Sequence, residues 1–380
     1  MQKPGNEITI RPLQPDDVRA IYDLLKPSFV IGDIPYDPGI ELSMFSDWLA
    51  RRNPEIHRFV AVADGEITGL LRLTHKSSHR LNHSGSIVIA ARARSHYEET
   101  RQALLAAALD LADNWLNLYR LEVEVLNDSK IDIDYFQSIG FEVEGTRLIG
   151  AFRQGKWLDH ICMARLRFNP QWSDSSQMTA SVEADVKPVN PRRQIEDIEI
   201  RPARIGDAIA FYDMLCDPAI CRTTLQLPSQ EIRQTEERLM ESHSWLHRFT
   251  AVADGEIVGS IILAEVQSRG HQHIARIGMK VHSAYWRLGI GSLLMISVTD
   301  LADNWLNTTR IELDVNTDNP AGIHLYQKFG SVIEGTKRLH GYGDGRWADS
   351  HFMDRIHKGI NTVMSLHRQP ISLLEDKVTR

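Results

Sequence analysis

A fixed offset of 190 residues organises this chain. Ala61-Val62-Ala63-Asp64-Gly65-Glu66-Ile67 recurs letter for letter at Ala251 to Ile257, and the eight residues from Asp110 to Asn117 recur at Asp300 to Asn307. Ile10-Arg11-Pro12 matches Ile200-Arg201-Pro202, and Gly155-Lys156-Trp157-Leu158-Asp159 matches Gly345-Arg346-Trp347-Ala348-Asp349. The offset is the same at all four places, so the copies align without net insertion. Two copies are too few for a solenoid. The chain reads as one domain written twice, with a first unit over 1–168 and a second over 198–357. Between them, 169–197 is polar and punctuated by Pro188 and Pro191, which predicts a linker. The tail, 358–380, is expected to fray.

With 380 residues the chain can bury two cores. Its 42% hydrophobic and 24% charged residues fit a globular protein, and no apolar run is long enough to span a bilayer. Met1-Gln2-Lys3-Pro4-Gly5 lacks the pattern of a secretion signal, so a cytoplasmic location without membrane contact is expected. A net charge of −7 argues against nucleic acid as a partner. Cys162, Cys216 and Cys221 form no Cys-x-x-Cys pair, which predicts neither a disulfide framework nor a zinc site. His271-Gln272-His273 lacks a third ligand nearby and reads as a solvated loop, so no metal is expected.

Within each unit the pattern is mixed α/β. In the second, Phe249–Asp254 and Ile257–Val266 read as strands joined at Asp254-Gly255, a hairpin signal. A strand over Ile274–Val281 leads into Trp286-Arg287-Leu288-Gly289-Ile290-Gly291. A helix over about Ser292 to Asn307 follows, with Leu294, Val298, Leu301 and Trp305 as its apolar stripe. Arg310–Val315 is a further strand, and Ala321–Phe329 a further helix. A strand, a glycine turn and a helix start together aim backbone N–H groups at an anion, and glycine lets a phosphate approach closely.

After the next strand comes Asn319-Pro320-Ala321-Gly322-Ile323-His324-Leu325-Tyr326-Gln327-Lys328-Phe329-Gly330. The glycine turn followed by this Asn-x-x-x-x-x-x-Tyr segment resembles the GNAT family of N-acetyltransferases, especially bacterial L-amino-acid N-acetyltransferases. The resemblance extends over nearly all of both units. It implies two tandem domains, each a mixed, mostly antiparallel twisted sheet flanked by helices, with a splayed parallel strand pair at the cofactor site. It also implies acetyl-coenzyme A as acyl donor.

Carried onto this chain, the resemblance gives backbone groups of Met279 and Val281 to the pantetheine arm. The turn of Arg287, Leu288, Gly289, Ile290, Gly291 and Ser292 goes to the pyrophosphate. Asn319 would contact the pantetheine or order a water, and the Met279 N–H would polarise the thioester carbonyl. Tyr326 would be the general acid, because a phenol stays protonated at neutral pH yet can donate. Thr224 and Gln226, after the first helix of the unit, would border the acceptor. Two positions depart from the family pattern. Trp286 stands where Gln or Arg is frequent, and Arg276 stands where many members carry a glutamate base. Asp314 or a chain of waters is left to take the amine's proton.

The same offset applied backwards tests the first unit. Trp286 to Gly291 becomes His96-Tyr97-Glu98-Glu99-Thr100-Arg101, without either glycine. Glu99 replaces Gly289 and would repel a pyrophosphate. Asn319 becomes Ser129, Gly322 becomes Asp132 and Tyr326 becomes Phe136, while Tyr135 is expected to point to another side of its helix. The packing stripe survives as Leu104, Ala108, Leu111 and Trp115. The first unit is thus expected to keep the fold and lose the cofactor.

The expected function is acyl-coenzyme A-dependent N-acylation, of an acetyl group, on the amine of a small molecule such as an amino acid or an amine-bearing antimetabolite. Its active site would lie in the second unit. The alternative is a non-catalytic sensor or scaffold that binds acyl-coenzyme A. As to assembly, a monomer built as an intramolecular pseudo-dimer, or a homodimer, is expected.

Overall fold

The computed structural model describes residues 8–25, 29–31, 39–50, 53–92, 96–153, 155–167, 197–227, 229, 231–268 and 270–357. The expected linker, apart from Asp197, and the expected tail lie outside the described residues. The first half runs β1 (Thr9–Pro12), α1 (Val18–Leu25), β2 (Phe29–Ile31), α2 (Leu42–Ala50), β3 (Ile56–Ala63), β4 (Glu66–His75), β5 (Ser84–Ala91), α3 (Tyr97–Asp110), β6 (Arg120–Leu126), α4 (Lys130–Ser138), β7 (Glu142–Arg153) and β8 (Lys156–Leu166). The second half runs β9 (Ile198–Pro202), α5 (Ala208–Cys216), α6 (Pro218–Thr223), α7 (Ile232–Met240), β10 (Leu246–Ala253), β11 (Glu256–Glu265), β12 (Ile274–Val281), α8 (Ile290–Asn304), β13 (Arg310–Asn316), α9 (Pro320–Lys328), β14 (Val332–Gly343) and β15 (Arg346–Ile356). Among the described residues no helix is long and apolar enough to cross a membrane.

Each half is a mixed, mostly antiparallel sheet flanked by helices. The parallel pairs, β5–β6 and β12–β13, are hydrogen-bonded over only three residue pairs each. Beyond Arg276 opposite Glu312 the second pair separates, which is the splay expected at the site. Apolar residues alternate along β13: Ile311, Leu313 and Val315 meet Leu294 and Val298 of α8, while Arg310, Glu312 and Asp314 face the other side. Phe211, Met214 and Ile220 of α5 and α6 form a small core of their own.

The helix stripes hold except at their ends. Leu294 and Val298 are buried, but Trp305 and its counterpart Trp115 are each 77% exposed. The cause lies in how α8 stops. It ends at Asn304, and Trp305 takes φ −127 outside it. Leu306 then donates its N–H to Leu301 and packs on the core in place of the indole.

The two halves continue one sheet through β7 and β14, which pair at Gly145 opposite Gly335. A Cβ on either glycine would collide with backbone of the other half. Contacts around this seam come in pairs with the halves exchanged. His83 Nε2 lies 2.8 Å from the Leu339 carbonyl, and His273 Nε2 lies 2.8 Å from that of Ile149. Tyr342 N–H donates to Arg80, and Phe152 N–H to Gly270. Trp347 sits edge-on to His83 and Trp157 edge-on to His273. His273 is therefore no solvated loop residue: its ring is fixed between the halves.

Candidate active site

The antiparallel ladder decides which backbone groups face the splay. His282 N–H donates to Val258 across β11, at 2.8 Å. By alternation, Met279 and Val281 turn their N–H and C=O groups toward the gap beside β13. The Val281 carbonyl is already taken, since Trp286 Nε1 donates to it at 2.7 Å. One lone pair of the Val281 carbonyl is thus engaged, whereas no side chain of the turn bonds to the groups of Met279 among the described residues.

The turn that follows is left-handed at Arg287, φ 64, and at Gly289, φ 85. A Cβ on Gly289 would meet nothing within 4 Å, so the space before the helix is open to an approaching group. Helix α8 starts at Ile290, and its first N–H groups, those of Ile290 and Gly291, have no carbonyl within the helix to bond. Leu288 packs on the core and anchors the turn. Gly291 has a different reason to be glycine: a Cβ there would come within 2.9 Å of Leu325 Cδ2 on α9. The crossing of α9 over the start of α8 also brings Lys328, whose Nζ donates to Ser292 Oγ at 3.3 Å. With exposed Arg287, Lys328 makes the turn doubly cationic. No spacing in the sequence ties Lys328 to the turn, because only the helix crossing joins them.

Asn319 caps α9, its Oδ1 accepting from Gly322 N–H at 3.0 Å. One side of its amide is thus committed to the helix. Tyr326 is buried in the core with Leu294, Val315 and Met353, and Met279 and Val281 pack against this cluster. Burial pushes its phenol up to about 12, so the proton stays on oxygen at neutral pH.

The opposite face of the sheet carries Arg276, Gly278 and Lys280 on β12, beside Glu312 and Asp314 on β13. Asp314 is clasped by Lys337 Nζ, 2.9 and 2.8 Å from its two oxygens. Although burial alone would raise its pKa, Lys337 holds it far below the usual carboxylate range. A carboxylate so stabilised is a weak base, which is a physical argument against the expected role of Asp314. Arg276 pairs with Glu312 at 3.1 Å, yet its side chain is 68% exposed.

A cavity of about 520 Å³ lies between the halves. Arg276, Ile277, Asp314 and Lys337 line it from one side, and Glu124 and Arg147 from the other. Thr224 and Gln226 do not line it. Thr224 Oγ1 donates to Ile220 at 2.8 Å and accepts from Gln226 N–H at 3.3 Å, so both residues shape the end of α6. The carbonyls of Cys221 and Thr224 there accept from Arg80 of the first half, a cation at a helix C-terminus.

The equivalent cleft of the first half is filled by its own side chains. Helix α3 begins at Tyr97, three residues earlier in the repeat than α8, with His96 left-handed at φ 75. Arg101, in place of Gly291, reaches Asp132, in place of Gly322, at 2.6 Å. Arg101 is 1% exposed and Asp132 2%. The guanidinium lies 5.1 Å from the ring of Tyr97 and 4.6 Å from that of Tyr135. Glu99 is exposed, and it is Arg101 and Asp132 that fill the cleft, with Tyr135 beside Arg101. Phe136, in place of Tyr326, is buried against Phe141.

Residues 209–331 match the acetyltransferase (GNAT) family. L-amino acid N-acetyltransferase AaaT of Escherichia coli K12 is 32% identical over 162 residues, which are 43% of this chain and 99% of that protein. Spermidine N(1)-acetyltransferase of the same strain is 29% identical, over 42% of this chain and 86% of that protein. A crystal structure of a GNAT-family acetyltransferase from Streptococcus pneumoniae is similar at 26% identity and a TM-score of 0.39, covering 42% of this chain and 99% of that one. Matched across nearly the whole of such a relative, with a splayed strand pair leading into the glycine turn, the chain belongs to the acetyltransferase (GNAT) family and is an N-acetyltransferase.

Proposed function

We propose that the second half alone carries the active site, and that it acetylates the amine of a small molecule such as an amino acid. The observation that carries this reading is the contrast between the helix starts: a glycine turn open at Gly289 before α8, and no glycine before α3, where Arg101 and Asp132 are buried in place of Gly291 and Gly322. Residues of the second half fit acetyl-coenzyme A, the donor that the family uses. The N–H groups at the start of α8, with Arg287 and Lys328, suit a pyrophosphate. Met279 suits the pantetheine arm and, through its N–H, the carbonyl that gathers charge as the amine attacks. Bound there, the thioester supplies the acetyl group. Tyr326 gives its proton to the leaving sulfur, and the amine approaches from the Arg276 face. On that face a guanidinium attracts a carboxylate and repels a polycation, which favours an amino acid over a polyamine. Thr224 and Gln226 act indirectly, by fixing the end of α6.

Calorimetry of the full chain with acetyl-coenzyme A should give one site; two equal sites would overturn the one-site reading. Tyr326→Phe should lower turnover about 100-fold with the donor's affinity unchanged. A sensor or scaffold would instead bind the donor and release no thiol with any amine.

A further inference from the structure

We propose that Lys280 is the group that takes the proton from the acceptor amine. This rests on the acetyltransferase site being in the second half, and it fills the role left open by Arg276 and Asp314.

The argument starts from the β12 face that looks away from α8. Three residues alternate there, Arg276, Gly278 and Lys280, where the first half has Ser86, Val88 and Ala90. Gly278 is exposed in mid-strand, and a Cβ there would touch only Ile262, at 3.5 and 3.6 Å. It leaves a gap between the two long side chains, one residue from the Met279 N–H that faces the splay. In the first half Val88 is buried at that position, and Ala90 has nothing to titrate. The half with the open cofactor turn is thus also the half with a gap and an amine beside it.

Other ionisable groups on this face are already engaged. Asp314 is held by Lys337, Glu312 by Arg310 and Arg276, and His282 Nδ1 accepts from Ala284 N–H. Lys280 has no ion-pair partner among the described residues. Its Nζ sits 5.2 Å from the ring centroid of Phe211 on α5. Among the described residues, the one charged group set against it from a neighbouring element is Arg238 of α7, a like charge; α5 offers Phe211, and β11 offers Ser260 opposite in register. Burial first, and Arg238 second, bring its ammonium down to about 8. With a pKa of about 8, roughly a tenth of the amine is neutral at pH 7, far more than for an ordinary lysine, and that fraction can accept a proton.

The step balances. The acceptor arrives as an ammonium ion and loses one proton to Lys280, which passes it to solvent. The nitrogen lone pair forms the C–N bond as the C–S bond breaks. The nitrogen then gives its second proton to Lys280, neutral again after passing the first to solvent, while the departing sulfur gains one from Tyr326, whose hydroxyl is reprotonated through solvent.

Three measurements on the full chain test this. Reductive [13C]methylation followed by NMR titration, with the signal assigned by its loss in Lys280→Met, should show Lys280 titrating near pH 8. Titration above pH 10 would overturn the proposal, whether or not an acceptor has been found. With an amine that supports thiol release, kcat/KM should rise through about pH 8 in the wild type. Lys280→Met and Lys280→Arg should both lose about 100-fold at pH 7 and keep donor affinity within about twofold. A fully active Lys280→Arg would make the residue a charge anchor and sink the proton role. Absence of thiol release from the wild type with every amine tried would count against the active-site reading instead, and the titration would still decide the state of Lys280.

Discussion

Arg101 and Asp132 meet at 2.6 Å inside the first half, at the two repeat positions where the second half has Gly291 and Gly322. Two residues without side chains have become a buried cation and a buried anion. Each offsets the charge of the other, with Glu98 also beside Arg101 and the Ser129 hydroxyl donating to Asp132. Arg101→Gly should therefore destabilise the chain by about 3 kcal/mol, since Asp132 is left buried with no cation beside it. Arg101→Gly with Asp132→Gly should recover part of that loss. Urea unfolding of the single and double variants checks this, and additive losses would show that the pair is not coupled.

Gly289 and Gly291 should respond differently to alanine. At Gly289 the space is open but φ is 85, so a Cβ costs about 1–2 kcal/mol of backbone strain and obstructs the approach of a phosphate. Donor affinity should fall about tenfold or more by calorimetry. At Gly291 the Cβ meets Leu325, and overpacking should lower stability by about 1–3 kcal/mol with a smaller effect on affinity. Equal effects at both positions would contradict the division.

His273 offers a pH prediction with a definite sign. Burial lowers its imidazole to about 4, although its bond to the Ile149 carbonyl acts the other way. The folded pKa is thus below the unfolded value of about 6.5. The folded state binds fewer protons, so this contribution is complete above pH 6.5 and is lost progressively as the pH falls toward 4. His273→Gln can still donate to Ile149 but does not titrate. Relative to the wild type, that variant should gain stability between pH 7 and pH 5 in thermal unfolding. A constant difference over that range would mean that His273 does not titrate below its free value.

What was legible in the sequence followed from local chemistry. The Gly289 turn, the helix after Asn319-Pro320 and the apolar spacing of Leu294 and Val298 each act through near neighbours, and each is found where expected; that Asn319 caps the helix was not among the expectations. The start of helix α6 is also local chemistry, although it is not among the expectations either: Asp217 accepts from Ala219 N–H ahead of Pro218. Other features depend on packing between distant segments. Lys328 reaches the turn only because α9 crosses α8, and Trp286 occupies the Val281 carbonyl only because the turn folds back. Glu99 looked like the obstacle because it aligns with Gly289. An earlier helix start turned it outward and turned Arg101 in.

The Gly145–Gly335 seam carries a consequence for how such a chain can change. In an assembly of two identical subunits, every substitution appears on both sides of the axis at once. Here the two sides of the axis are written separately, so a change at one need not disturb the other. Residues at the seam are not free in this way, because a side chain on either glycine breaks the contact for both. The clefts are free, because each is enclosed by its own helices. The joint and the cavity between the halves thus bind them together, while the cleft at each helix start can diverge, so one half can become scaffold while the other stays reactive.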